Sequence, residues 1–237
     1  MDESRINELK IVPGSISSKT GKLNLNFSLI GKSNCAFKID TQMKTIKIFD
    51  SLIIYYYSDY YFATLMPKLD LSRTKEIKIG IKVELKRENL ERILQPTLEK
   101  IHLYCSPSKN ANPALMAFQR CPKMKHVEIK YLEHPTIPIL TKSALKEILL
   151  TKRETKIKQF HFDPVIEFDQ DDFMELLDNH LDSNCVVNLR THSSETFNAV
   201  KEMCIKIKEI RQNELKNSNI RIEIFFGISG CFFAIYL

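Results

Sequence analysis

An apolar-polar-apolar beat returns along this chain at the spacing of one strand plus one helix, and this recurrence constrains the fold more than any other feature. It reads TIKIF at 45–49, EIKIG at 76–80, KIHLY at 100–104, HVEIK at 126–130, QFHFD at 159–163, VNL at 187–189 and IRIEIFF at 220–226. The central polar residues are Lys47, Lys78, His102, Glu128, His161, Asn188 and Glu223, separated by 31, 24, 26, 33, 27 and 35 residues. A period of two sends alternate side chains to opposite faces of a strand. Intervals of this length belong to strand-plus-helix repeats.

The segments between the beats carry apolar residues at three- and four-residue spacing, as amphipathic helices do. They are YYFATLMPKL, RENLERIL, NPALMAFQRC, KSALKEILL, QDDFMELLDNHL and ETFNAVKEMCIKIKEI. Asp59, Asn112 with Pro113, Thr141 and Asp169 stand where helix starts are expected, and Asp171 and Asp172 add negative charge to a first turn whose amides lack partners. Pro96 stops the second of these helices.

The expected architecture is therefore α/β, a leucine-rich-repeat-like curved solenoid of parallel strands and helices over residues 44–237, closed by a C-terminal capping strand. Residues 1–43 form an N-terminal segment with a β-hairpin cap, KLNLNFSLI and CAFKID flanking Gly31 to Asn34. The competing arrangement is a wound α/β sheet. Such a sheet buries both faces and favours unbroken apolar strands, whereas these strands hold Lys, His, Glu or Asn at their centres.

Period-two alternation also divides the side chains. Ile46 and Ile48, Ile77 and Ile79, Ile101 and Leu103, Val127 and Ile129, Phe160 and Phe162, Val187 and Leu189, and Ile222 and Ile224 turn toward the helices. The alternates form a ladder on the other face: Thr45, Lys47 and Phe49; Glu76 and Lys78; Lys100, His102 and Tyr104; His126, Glu128 and Lys130; Gln159, His161 and Asp163; Asn188 and Arg190; Glu223. A helix-free polar face suits a protein partner. The expected contact residues are Lys47, Lys78, Lys100, His102, Tyr104, His126, Glu128, Lys130, His161 and Arg190, with aromatic anchors contributing most. VNL is the least tidy unit, because Asn188 joins the ladder only if Val187 and Leu189 both turn inward.

Composition bears on function more than on fold. A hydrophobic fraction of 43% and a charged fraction of 27% are those of a soluble globular chain. No apolar run approaches the roughly 18 residues of a membrane helix. MDESRINELK is too charged for a secretory signal, and FFGISGCFFAIYL reads as a closing strand. Six cysteines, at 35, 105, 121, 185, 204 and 231, show no CxxC and are expected as reduced core thiols in an intracellular protein, cytoplasmic or nuclear.

The net charge of +6 conceals a contrast. Residues 1–160 hold 28 Lys and Arg against 16 Asp and Glu, and residues 161–237 hold 7 against 13. The lysines are dispersed instead of forming a stripe with aromatic support. They therefore point to an acidic protein partner more than to nucleic acid, which is kept as an alternative along with base stacking on YYYSDYYF.

Motifs for chemistry are absent from the sequence: no GxSxG, no phosphate-cradling glycine loop and no HExxH. Asp169, Asp171 and Asp172 lack the glycine and closing glutamate of a calcium loop and run straight into a helix. His102, His126 and His161 fall on successive strands, but a zinc site needs three or four converging ligands. The expectation is a non-enzymatic module with no cofactor and no metal. The alternative is an α/β enzyme with a pocket in the acidic 163–182 region.

LERILQPTLEKIHLYC, FQRCPKMKHVEIK and TKIKQFHFDPVIEFDQDDFMELLDNHL together resemble the nematode F-box-associated homology regions, in cadence, over about residues 44–226. The resemblance implies a leucine-rich-repeat-like array serving as the substrate-recognition arm of a ubiquitin ligase complex. A Skp-type adaptor would be engaged through a separate F-box. The first 43 residues read as loop plus hairpin instead of the compact helices of an F-box.

Overall fold

The structure, a computed structural model, describes residues 5–11, 27–28, 45–56, 66–106, 108, 110–132, 137–166, 168–213, 219–227 and 232–237. Its strands are β1 (Arg5–Ile11), β2 (Phe27–Ser28), β3 (Ile46–Tyr56), β4 (Leu69–Asp70), β5 (Glu76–Glu84), β6 (Lys100–Ser106), β7 (His126–Tyr131), β8 (Ile157–Asp163), β9 (Leu181–Thr191), β10 (Arg221–Phe226) and β11 (Phe232–Tyr236). The described helices are α1 (Arg87–Ile93), α2 (Pro113–Arg120), α3 (Lys142–Leu149), α4 (Gln170–Asn179) and α5 (Ser194–Asn213).

All these strands belong to one open sheet of order β11-β10-β9-β8-β7-β6-β5-β3-β1-β2, with β4 beside β3. From β5 to β10 the spatial order is the chain order, every neighbouring pair is parallel, and a helix separates each strand from the next. Crossovers of uniform hand between successive neighbours keep the helices on one side of the sheet. The strand order never reverses along this stretch, whereas a doubly wound sheet has a point at which it does.

Register turns the period-two pattern into continuous rows. Leu52, Ile77, Ile101, Val127, Phe160, Val187, Ile222 and Ile235 lie side by side across eight strands, and all are buried. Ile54, Ile79, Leu103, Ile129, Phe162, Leu189 and Ile224 form the next buried row. Helix residues Leu90, Phe118, Leu145, Phe173 and Val200 complete one continuous core. At about 1.5–3 kcal/mol for each such side chain, this shared interior is the main favourable contribution to folding.

Side-chain bonds at the spacing of the repeat join each unit to the next. Thr74 Oγ1 donates to the Ile48 carbonyl at 3.0 Å, Thr97 Oγ1 to Thr74 at 2.9 Å, and Arg120 Nε to Leu94 at 3.1 Å. Arg153 donates to the Met124 carbonyl and stands 5.2 Å over the Phe118 ring. Three of these acceptors, Thr74, Leu94 and Met124, are carbonyls of a helix end or return loops, and Ile48 lies within β3.

Local signals mark the starts of three of the five described helices. Asn112 caps α2 by accepting from Leu115 N at 3.0 Å, with Pro113 in the first turn, and Thr141 caps α3 by accepting from Ala144 N at 3.1 Å. Asp169 occupies the N-cap position of α4 but makes no cap bond. Lys142 Nζ at 3.2 Å and Lys146 Nζ at 3.5 Å engage its carboxylate instead.

Elsewhere the sheet differs from expectation. The tail of the helix expected in YYFATLMPKL is a 3-10 turn at Met66–Lys68 followed by β4, and Tyr60 to Leu65 lie outside the described residues. Arg5–Ile11, read from sequence as loop, is a strand parallel to β3. Of the expected hairpin, Phe27–Ser28 pairs antiparallel with β1, and Cys35 to Asp40 lie outside the described residues.

Candidate functional site

The face opposite the helices carries three registered rows. The central one runs Ile53, Lys78, His102, Glu128, His161, Asn188, Glu223 and Ala234. Six of the seven marker residues chosen from sequence stand in this line, including Asn188, whose neighbours Val187 and Leu189 are both buried. Lys47 does not. It pairs with Asp70 of β4 and Arg5 of β1, six residues upstream of Ile53, the residue of β3 that joins the row. The physical reason is that β3 spans eleven residues and its start pairs with β4 while Ser51 to Tyr56 pair with β5, so its first beat lies N-terminal to the stretch that joins the common register.

Lys100, His126 and Gln159 occupy the row on the strand N-terminal side. Tyr55, Gly80, Tyr104, Lys130 and Asp163 occupy the row on the C-terminal side. Arg190 lies on β9 next in that line, opposite Phe225 of β10.

Glu128 is the hub. His102 Nδ1 lies 2.8 Å from its Oε2, Lys130 Nζ 2.7 Å from its Oε1 and His161 Nδ1 3.5 Å from Oε1, and the Tyr104 hydroxyl also donates to it. Its side chain is only 14% exposed. Burial alone would raise its pKa, but the hydrogen bonds from His102 and Lys130, the Lys130 charge and the Tyr104 bond hold the carboxyl well below the usual range. The same contact, after burial, pushes the Tyr104 phenol up.

Asp163 forms a second node, with Arg190 Nε at 3.4 Å and His192 Nε2 at 2.9 Å. Arg221 pairs with Glu223, and Lys100 approaches Glu76 at 3.9 Å. Cations also lie over rings: Lys78 over Tyr55 at 5.8 Å, Lys130 over Tyr104 at 5.4 Å and Arg190 over Phe225 at 5.4 Å.

His161 sits beside this hub, 12% exposed, with burial and the Lys130 charge lowering its pKa to about 4. Its Nε2 and the Oδ1 of its register partner Asn188 are buried without hydrogen bonds.

Sequence reading missed three contributors. Gly80 separates two rings: a Cβ there would meet Tyr55 Cδ1 at 3.2 Å and Tyr104 Cδ2 at 3.7 Å. His192 and Tyr55 join the face from outside the beats. His192 has no periodic signal, and Tyr55 is hidden within YYYSDYYF.

The acidic 163–182 segment divides between uses. Asp163 belongs to the face, Asp169 and Asp172 pair with lysines of α3, and Asp178 accepts from Arg211 of α5. Cys105, Cys121, Cys185 and Cys204 are buried free thiols pushed up by burial to about 12. Among the described residues no group of three or more His, Cys, Asp or Glu is placed to hold a metal ion, and no helix is long and apolar enough to cross a membrane. No protein-family model matches this chain, and no curated protein and no solved structure is recognisably similar to it.

Proposed function

We propose that this protein is a non-enzymatic binding module whose helix-free sheet face recognises a protein partner inside the cell. In this reading the strand-helix array curves as leucine-rich repeats do, with the polar rows on its inner surface. The observation that carries the reading is the single register of Lys78, His102, Glu128, His161, Asn188 and Glu223 across six adjacent strands. Side chains held by neighbouring strands and cross-braced through Glu128 lose little further freedom on binding, which favours recognition. Tyr55 and Tyr104 supply rigid aromatic area among directional polar groups. By its resemblance to F-box-associated regions, the partner is a substrate presented to a ubiquitin ligase complex. Any Skp-type adaptor is then engaged away from this face.

The test is selection of binders to the full chain from a random peptide library, followed by acetylation footprinting of the complexes. Lys78, Lys100 and Lys130 are expected to be protected, with Lys146 and Lys206 on the helices unchanged. Protection confined to the helix side, or equal capture by a folded variant carrying Lys78→Ala and Tyr104→Ser, would refute the reading.

A further inference from the structure

We propose that the partner segment is acidic, and that one of its carboxylates seats between Lys78 and His102, taking up a proton as it binds. This rests on the reading of the face as a binding surface and names the chemistry that the surface selects.

The sign of the partner follows from which charges are already neutralised. Every acid in the central row and the row on its C-terminal side has a cation: Glu128 has Lys130, Asp163 has Arg190, and Glu223 has Arg221. A basic partner would meet no unneutralised carboxylate there. One cation of the central row is not matched in return. Lys78 has no carboxylate among the described residues and rests against the Tyr55 ring. In the row on the strand N-terminal side, Lys100 and Glu76 offset each other at 3.9 Å. Opposite charges across an interface fix orientation and speed encounter.

The anchor is geometric. Lys78 and His102 are register partners on β5 and β6, so their Cβ atoms stand about 4.8 Å apart. A carboxylate bridging them accepts one hydrogen bond from each. His102 Nδ1 is committed to Glu128, which leaves Nε2 without a hydrogen bond among the described residues. With Nδ1–H donated to Glu128, Nε2 donates only as imidazolium, so seating a carboxylate there adds a proton to the ring. The charged and titratable groups facing that ring are Glu76 and Lys78 from β5, Lys100 and Tyr104 from its own strand, and His126, Glu128 and Lys130 from β7. Affinity therefore rises as pH falls.

Octaglutamate binding to the full chain at low salt tests this, with octaglutamine, octalysine and single-stranded DNA of equal charge as comparisons. Octaglutamate is expected to bind and the other three to fail. Lys78→Gln and His102→Gln should each weaken binding roughly tenfold, the scale of one charge-assisted hydrogen bond, and Lys78→Arg and Lys206→Gln should retain it. Calorimetry in buffers of different ionisation enthalpy should report proton uptake that His102→Gln abolishes. No octaglutamate binding, undiminished binding by folded Lys78→Gln and His102→Gln variants, or preference for DNA overturns the proposal. Neutral or basic selected peptides that still protect Lys78 and Lys130 would overturn this inference alone, whereas protection elsewhere would overturn the binding face as well.

Discussion

Replacing His161 by glutamine should flatten the pH dependence of stability between pH 8 and pH 5. The imidazole is 12% exposed between β7 and β9, flanked by Glu128 and Lys130 on one side, Asn188 and Arg190 on the other, and Asp163 on its own strand. Its Nε2 has no acceptor, so a second proton would place a buried, unpartnered donor among two cations. Burial first, and then Lys130, lower its pKa from 6.5 to about 4. A folded-state pKa below the unfolded one means that the unfolded chain binds more protons in this window. The associated stability is complete above pH 6.5 and drains as pH falls toward 4. At 1.36 kcal/mol per pH unit, the two pKa values give a loss of about 2 kcal/mol by pH 5.

The window matters because the unfolded-state carboxylates titrate near pH 4, below it. Buried His180, whose pKa burial also lowers, contributes in the same direction and leaves a residual slope. Urea denaturation at pH 8, 7, 6 and 5, with the slope against urea held common, measures the quantity. The His161→Gln variant should lose about 2 kcal/mol less than the parent between pH 8 and pH 5. Identical pH profiles for the two proteins would refute the assignment.

Other expectations follow from particular contacts. Arg153→Met keeps the aliphatic packing but removes the donors to Met124 and Thr155, and should cost about 1–3 kcal/mol in urea denaturation. Asn112→Ala removes both the cap of α2 and the 2.8 Å bond to the Ile139 carbonyl, and should cost about 2 kcal/mol by the same assay. Gly80→Val should displace the Tyr55 ring and weaken octaglutamate binding, with an unchanged far-ultraviolet circular dichroism spectrum. Cys105, Cys121, Cys185 and Cys204 should resist a thiol-specific reagent at pH 8 in the native protein and react in urea, read peptide by peptide by mass spectrometry.

Much of the sheet is legible before folding. In HVEIK or QFHFD the alternation alone decides which side chains are buried, because adjacent residues of a strand cannot share a face. Asn112-Pro113 and Thr141 mark helix starts because their bonds reach only three residues along the chain. Asp169 stands in the same position with the same chemistry, yet two lysines from a neighbouring helix outcompete the local amides for its carboxylate.

The face shows the same division. That Lys78, His102, Glu128 and His161 share a side follows from sequence, whereas their alignment in one row, and the exclusion of Lys47 from it, follows from register. Register sums over packing on both sides of each strand, and in β3 it is Ser51 to Tyr56, not the first beat, that pairs with β5. Nor does sequence spacing reveal that one carboxylate gathers Lys130 from its own strand, His102 and Tyr104 from β6 and His161 from β8. Alternation and capping are short-range consequences of backbone geometry, so the chain states them residue by residue. The Glu128 hub exists only once strands some 26 to 33 residues apart lie within hydrogen-bond reach of one another.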